Sequence, residues 1–198
     1  IVDVYPLVLA GLLIPMGSLG DRFGRRRLLL VGATGFAVVS AVAAFAPTAG
    51  ALIAARAAMG FFGAMLMPAT LSLIRNIFVD PQERRLAIAV WAAGFSGGAA
   101  LGPLVGGFLL EHFWWGAVFL LAVPVLLPLL IAGLLVLPES KDPNPGKIDA
   151  LSTVLILITM VAVVWGIKSV AVYGPGVDLA VSLVIALGVG FWFVRRQL

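Results

Sequence analysis

The stretch "GSLGDRFGRRR", Gly17–Arg27, holds one Asp and four Arg in its last seven residues, between two runs, Val4–Leu19 and Leu28–Leu52, that carry no charged side chain. About 20 apolar residues of helix cross the hydrocarbon of a bilayer. Lys and Arg in a short connection hold that connection in the cytoplasm. The stretch therefore reads as the turn between two membrane helices, and the rest of the chain can be parsed outward from it.

Composition agrees. Hydrophobic residues make up 62% of the 198 residues and charged residues 11%, against roughly 45–50% and 25% in a soluble domain. The mean hydropathy is +1.16, too high for helices that each show one face to water. The net charge of +4 does not point to nucleic acid, because the basic residues fall in short clusters between apolar runs and form no stripe. With no Cys and one His, His112, the chain lacks material for disulfides, a multi-His metal site or a Ser-His-Asp triad. An enzyme is not expected, nor a metal or organic cofactor. The chain begins at Ile1 in apolar sequence and reads as a piece cut from a longer protein at both ends.

Seven spans follow: Val2–Leu19, Leu28–Ala46, Ala49–Phe78, Arg85–Leu110, Trp114–Leu137, Ala150–Val170 and Leu179–Val194. Turn chemistry separates them at "APTAG", "VDPQERR", "PESKDPNPGK" and "YGPGVD". Alternate connections hold Arg22, Arg25, Arg26, Arg27, Arg75, Arg84, Arg85, Lys141, Lys147, Arg195 and Arg196, eleven of the thirteen basic residues. All eleven fall on one side of the bilayer, which the positive-inside rule makes cytoplasmic. Trp114 and Trp115 fall at the opposite interface, where aromatic belts form. Glu111, His112, Lys168 and Asp178 are expected to be solvated end charges.

Positive charge alone would anchor the turn, but it also holds Gly17, Gly20 and Gly24 around Asp21, as a tight turn between helices would. Asp21 is expected to pair with a neighbouring Arg or a helix N-terminus. In "GFSGGAALGPLVGG", Gly94, Gly98, Gly102 and Gly106 recur every four residues and share one helix stripe, with Gly97, Gly107 and Pro103 beside it. Small-xxx-small stripes let helices approach closely in lipid, and Pro103 is expected to weaken or bend the helix. The expectation is a helix that packs tightly and pivots, against the plainer reading of a packing face.

Arg56 lies within the third span, where a charge costs roughly 2.5–3.5 kcal/mol on insertion scales. Either it snorkels to the nearby headgroups or it faces inward toward an acidic partner. Asp3, near the same end of the first span, is either an interfacial residue without a role or a protonatable group at the depth of Arg56.

These residues together resemble the Major Facilitator Superfamily, and within it the fourteen-helix drug:H⁺ antiporters that export quaternary ammonium and other lipophilic cations. Gly17, Asp21, Arg22, Gly24, Arg25 and Arg26 are similar to its signature loop between helices two and three. Arg56 and Gly60 resemble a helix-four motif whose Arg is associated with proton coupling, although Met59 stands where the family has Gln or Leu. Gly98, Gly102, Pro103, Gly106 and Gly107 resemble a helix-five motif associated with antiporters. The resemblance implies an all-α membrane bundle covering helices 2–8 of 14. Residues 1–137 would supply helices 2–6 of the N-terminal six-helix bundle, 138–149 a short cytoplasmic loop, and 150–198 two extra central helices. It further implies a multi-pass protein of a bacterial cell membrane that works by alternating access. Its partners would be the bilayer, protons as coupling ion and small lipophilic or cationic substrates, with helix one and the C-terminal bundle of the same chain. A metabolite or sugar carrier, by symport or uniport, is the competing reading.

Overall fold

The computed structural model describes residues 3–143, 150–174 and 176–197. Every regular element among them is an α-helix: α1 (Val4–Phe23), α2 (Arg25–Ala43), α3 (Ala49–Ile77), α4 (Pro81–His112), α5 (Ala117–Leu120), α6 (Ala122–Leu135), α7 (Ala150–Tyr173) and α8 (Val177–Gln197). Taking α5 and α6 as one span, Ala117–Leu135, seven segments are long and apolar enough to cross a membrane. Large apolar side chains such as Leu104, Val125, Leu135, Leu187 and Phe191 stand exposed along them. A bilayer, not water, suits such surfaces, and the chain is a multi-pass membrane protein.

Polar residues set the helix ends. Thr48 caps α3 by accepting from the Ala51 amide at 3.1 Å. Asp80 caps α4, accepting from the Gln82 and Glu83 amides at 2.8 and 3.1 Å, with Pro81 in the first turn, where its missing N–H costs nothing. Residues 81–85, expected as turn, therefore already belong to α4. The fifth span breaks at Leu121 because Pro124 has no N–H to offer the Leu120 carbonyl. At 29 and 32 residues, α3 and α4 are about 44 and 48 Å long and project beyond a core of about 30 Å.

α3 is the axis of the packing, with α1 and α2 against it, α6 against α2, and the α7–α8 hairpin against α1. The core where α1, α2 and α3 meet consists of Met16, Leu28, Leu29, Ala64, Met65, Ala69 and Leu73. Lipid tails are as apolar as these side chains, so close approach, not hydrophobicity, joins the helices. Gly60 shows this: a side chain there would begin 2.8 Å from the Tyr5 carbonyl oxygen and 2.9 Å from Val8 Cβ. Ser40, fully buried, donates to the Phe119 carbonyl at 2.7 Å and ties α2 to α5.

One expectation needs correction. Gly17 and Gly20 do not form a turn. α1 runs through both to Phe23, and the connection to α2 is Gly24 alone. Gly20 is buried against Leu28, and Gly17 faces Pro68, so both serve packing. The glycine stripe of α4 stands open among the described residues. No atom lies within 4 Å of where a side chain would begin at Gly94, Gly97, Gly98, Gly102, Gly106 or Gly107, and no residue of α4 is buried. α4 continues without interruption through Pro103. It is held to α3 by Trp91, whose Nε1 donates to Thr70 Oγ1 at 3.1 Å.

Candidate functional site

The joint between α1 and α2 turns on Gly24, whose φ of 119° belongs to glycine. Asp21, in the last turn of α1, accepts from Arg25 Nε and Nη2 through one carboxylate oxygen at 2.9 and 2.7 Å. This is one of the two pairings expected of Asp21. The segment after α6 then lies across the joint. The Arg25 amide donates to the Ser140 carbonyl and the Asp142 amide to the Asp21 carbonyl, both at 2.9 Å. The Arg26 amide donates to Glu139 Oε1 at 3.2 Å. Arg27 Nε stands 3.6 Å from Glu139 Oε2. Asn76, at the end of α3, donates to Ser140 Oγ.

These bonds close helix ends. The first amides of α2 and the last carbonyls of α1 and α6 have no partner within their own helices. Gly24 has no side chain with which to cap α2, and Ser140 and Glu139 supply the acceptors in its place. Arg26 returns the bond, donating through Nε to the Gly133 carbonyl at 2.9 Å and through Nη2 to the Leu134 carbonyl at 2.6 Å, at the end of α6. A carboxylate at an N-terminus and a guanidinium at a C-terminus also suit the helix dipoles. Residues 138–143, expected as part of a loose connection, are thus a docked strap; 144–149, with Lys147, lie outside the described residues. Sequence reading missed Glu139, Ser140 and Asn76. The acid in "PESKD", directly after a span and on the arginine side, was the available signal.

At the other end of the bundle Arg56 faces inward. Its guanidinium lies over the Tyr5 ring of α1, 5.4 Å from the centroid, and the Phe119 ring of α5, 5.9 Å away. Aromatic faces attract a cation, most strongly where water is excluded. Tyr5 in turn meets Phe36 of α2 edge to face. Neither Tyr5 nor Phe119 could be tied to Arg56 from sequence. Asp3, two residues before Tyr5, is engaged by Lys168 of α7. Lys168, expected to be solvated, is a partner in that ion pair.

The two ends are therefore distinct. Asp21, Gly24, Arg25 and Arg26 gather at one, and Asp3 and Arg56 at the other, with Gly60 between α1 and α3. Arg22 closes α1, and the α4 glycines stand apart from both groups.

The chain is thus a helical membrane bundle with an arginine-rich joint capped by the segment after its fifth span, and an arginine held within its third. Residues 1–195 match the Major Facilitator Superfamily, and the chain belongs to that superfamily. It is 63% identical over 197 residues to the multidrug efflux pump LfrA of Mycolicibacterium smegmatis (strain ATCC 700084 / mc(2)155), covering all of this chain and 39% of that protein. It is 44% identical over 169 residues to the methyl viologen resistance protein SmvA of Salmonella typhimurium (strain LT2), covering 85% of this chain and 34% of that one. It is 39% identical over 177 residues to the tetracenomycin C resistance and export protein of Streptomyces glaucescens, covering 89% and 33%. The chain spans between a third and two-fifths of the length of these curated relatives.

Proposed function

We propose that this chain is part of a proton-coupled antiporter of a bacterial cell membrane that exports lipophilic or cationic compounds by alternating access. The observation that carries the reading is similarity along the whole chain, at 63% identity, to a multidrug efflux pump. Further relatives are named for resistance to methyl viologen and for tetracenomycin C export. In this reading the arginine joint faces the cytoplasm, and residues 1–137 supply helices two to six. Residues 150–198 supply the two central helices, and the rest of the protein covers the open glycine face of α4.

The energetics are adequate. One proton driven by 100 mV supplies ~2.3 kcal/mol, which sustains roughly a fiftyfold gradient of a neutral solute. A monovalent cation, whose own charge opposes export, needs a second proton or a pH difference. Arg56 is the residue to which proton coupling is assigned here, because a cation among aromatic rings between helices responds to any nearby change of charge.

The test is ethidium efflux from cells or inverted vesicles carrying the complete protein. Efflux that stops when a protonophore collapses the proton gradient supports the reading. Efflux that persists overturns the coupling, and accumulation of a sugar or metabolite in place of dye export favours the carrier alternative.

A further inference from the structure

Asp3 occupies the N-cap position of α1, where a carboxylate ordinarily accepts from the first amides of its helix. It makes no such bond. Its side chain is turned instead to the Lys168 ammonium of α7, forming both a hydrogen bond and an ion pair. The two helices are in contact, and Leu157 of α7 lies directly over Gly11 of α1. The pair therefore sits at the end of a packed seam.

The other elements against α1 bring little competing charge to this end. α3 contributes Arg56, which lies over the Tyr5 ring. α2 carries no ionisable residue from Leu28 to Ala43. Lys168 is thus the cation in contact with Asp3. The paired side chains remain 57% and 40% exposed, and exposed ion pairs contribute little to stability. The contact matters for the state of Asp3 more than for holding the bundle together.

We propose that Lys168 is a positioning residue: it clasps α7 to the Asp3 end of α1 and, while it does so, favours the ionised form of Asp3. The Lys168 hydrogen bond, with its charge in support, holds the Asp3 carboxyl below the usual Asp value, although desolvation pulls the other way. While the clasp is closed, Asp3 takes up a proton only in water more acidic than an ordinary Asp carboxyl requires. When α7 parts from α1 that bias is lost, the carboxylate oxygen accepts a proton from hydronium more readily, and Lys168 is left to water or lipid headgroups. The clasp follows from the seam alone; its consequence for proton exchange rests on the antiporter reading.

Two measurements on the complete protein test this. With no cysteine in this chain, the D3C/K168C pair is expected to join through a short bismaleimide. Failure to join, with each single cysteine labelled normally, overturns the clasp. In the pH profile of ethidium efflux, Lys168→Met is expected to move the limb that Asp3→Asn abolishes to higher pH. Lys168→Arg should stay with the parent, and the D3K/K168D reversal should recover efflux lost in either single variant. A Lys168→Met profile that superimposes on the parent overturns the role in proton exchange. If the parent shows no proton-driven efflux, the antiporter reading fails and the cross-link alone decides the clasp.

Discussion

Arg26 and Glu139 cap each other's helices: the Glu139 carboxylate accepts from the Arg26 amide at the start of α2, while the Arg26 guanidinium donates to the Gly133 and Leu134 carbonyls at the end of α6. The exchange fastens the second span to the fifth at one point. Any motion that lifts the strap opens two helix ends at once, the start of α2 and the end of α1, because the Asp142 amide also covers the Asp21 carbonyl of α1.

Removing the acid should therefore be felt as lost stability. Glu139→Ala is expected to cost about 1–2 kcal/mol, between the values for an ordinary hydrogen bond and for one to a charged group. Glu139→Gln, which keeps a carbonyl for the Arg26 amide, should cost less. Thermal unfolding of the complete protein in detergent checks the order. Equal losses for the two variants would show that the amide bond is not what the carboxylate provides.

Gly24 meets two demands at one residue. Its φ of 119° excludes a relaxed side chain, and a Cβ there would stand 2.5 Å from Glu139 Oε1. Gly24→Ala is expected to destabilise by about 2 kcal/mol through backbone strain and to loosen the strap. Faster proteolysis around residue 140 would report this, whereas unchanged cleavage would mean the strap tolerates displacement.

The glycines on α3 and α4 should behave in opposite ways. Gly60→Leu drives a branched side chain into the Tyr5 carbonyl and Val8 and is expected to lower the yield of folded protein severely, as overpacking does. At Gly98 an added Cβ would meet nothing within 4 Å among the described residues. Gly98→Leu should leave the yield near the parent's while cutting efflux at least tenfold, if the remainder of the protein closes on that face. Fluorescence-detected size exclusion and dye efflux, measured side by side, separate the two.

For Arg56, the aromatic cage makes a specific demand. Tyr5→Leu or Phe119→Leu, which keep bulk but remove the ring face, should each weaken the hold on the guanidinium by about 1–2 kcal/mol. Tyr5→Phe should be tolerated. Proton-driven efflux by the four proteins, at matched expression, is the measurement; a Tyr5→Phe defect as large as that of Tyr5→Leu would assign the effect to the hydroxyl.

The direction in which the chain is threaded can be checked independently. A cysteine at Arg27 is expected to react with a membrane-impermeant maleimide in inside-out vesicles and not in intact cells, whereas one at Trp115 should show the reverse.

The sequence by itself determined that the chain crosses a membrane, how many times, and which ends share a side. Apolar length and the placement of Lys and Arg are properties of short segments and need no partner to be read. It also narrowed Asp21 to a neighbouring arginine or a helix N-terminus, since both lie within a few residues of it. Only tertiary structure decided what distant segments do to one another. Glu139 on the α1–α2 joint, Phe119 over Arg56 and Lys168 against Asp3 are each separated in the chain by whole spans. Their meeting depends on how closely helices approach in lipid, which is set by where small residues face one another. The α4 stripe marks the boundary of that logic: four glycines in register declare a face made for contact, but a helix surface does not encode what lies across from it.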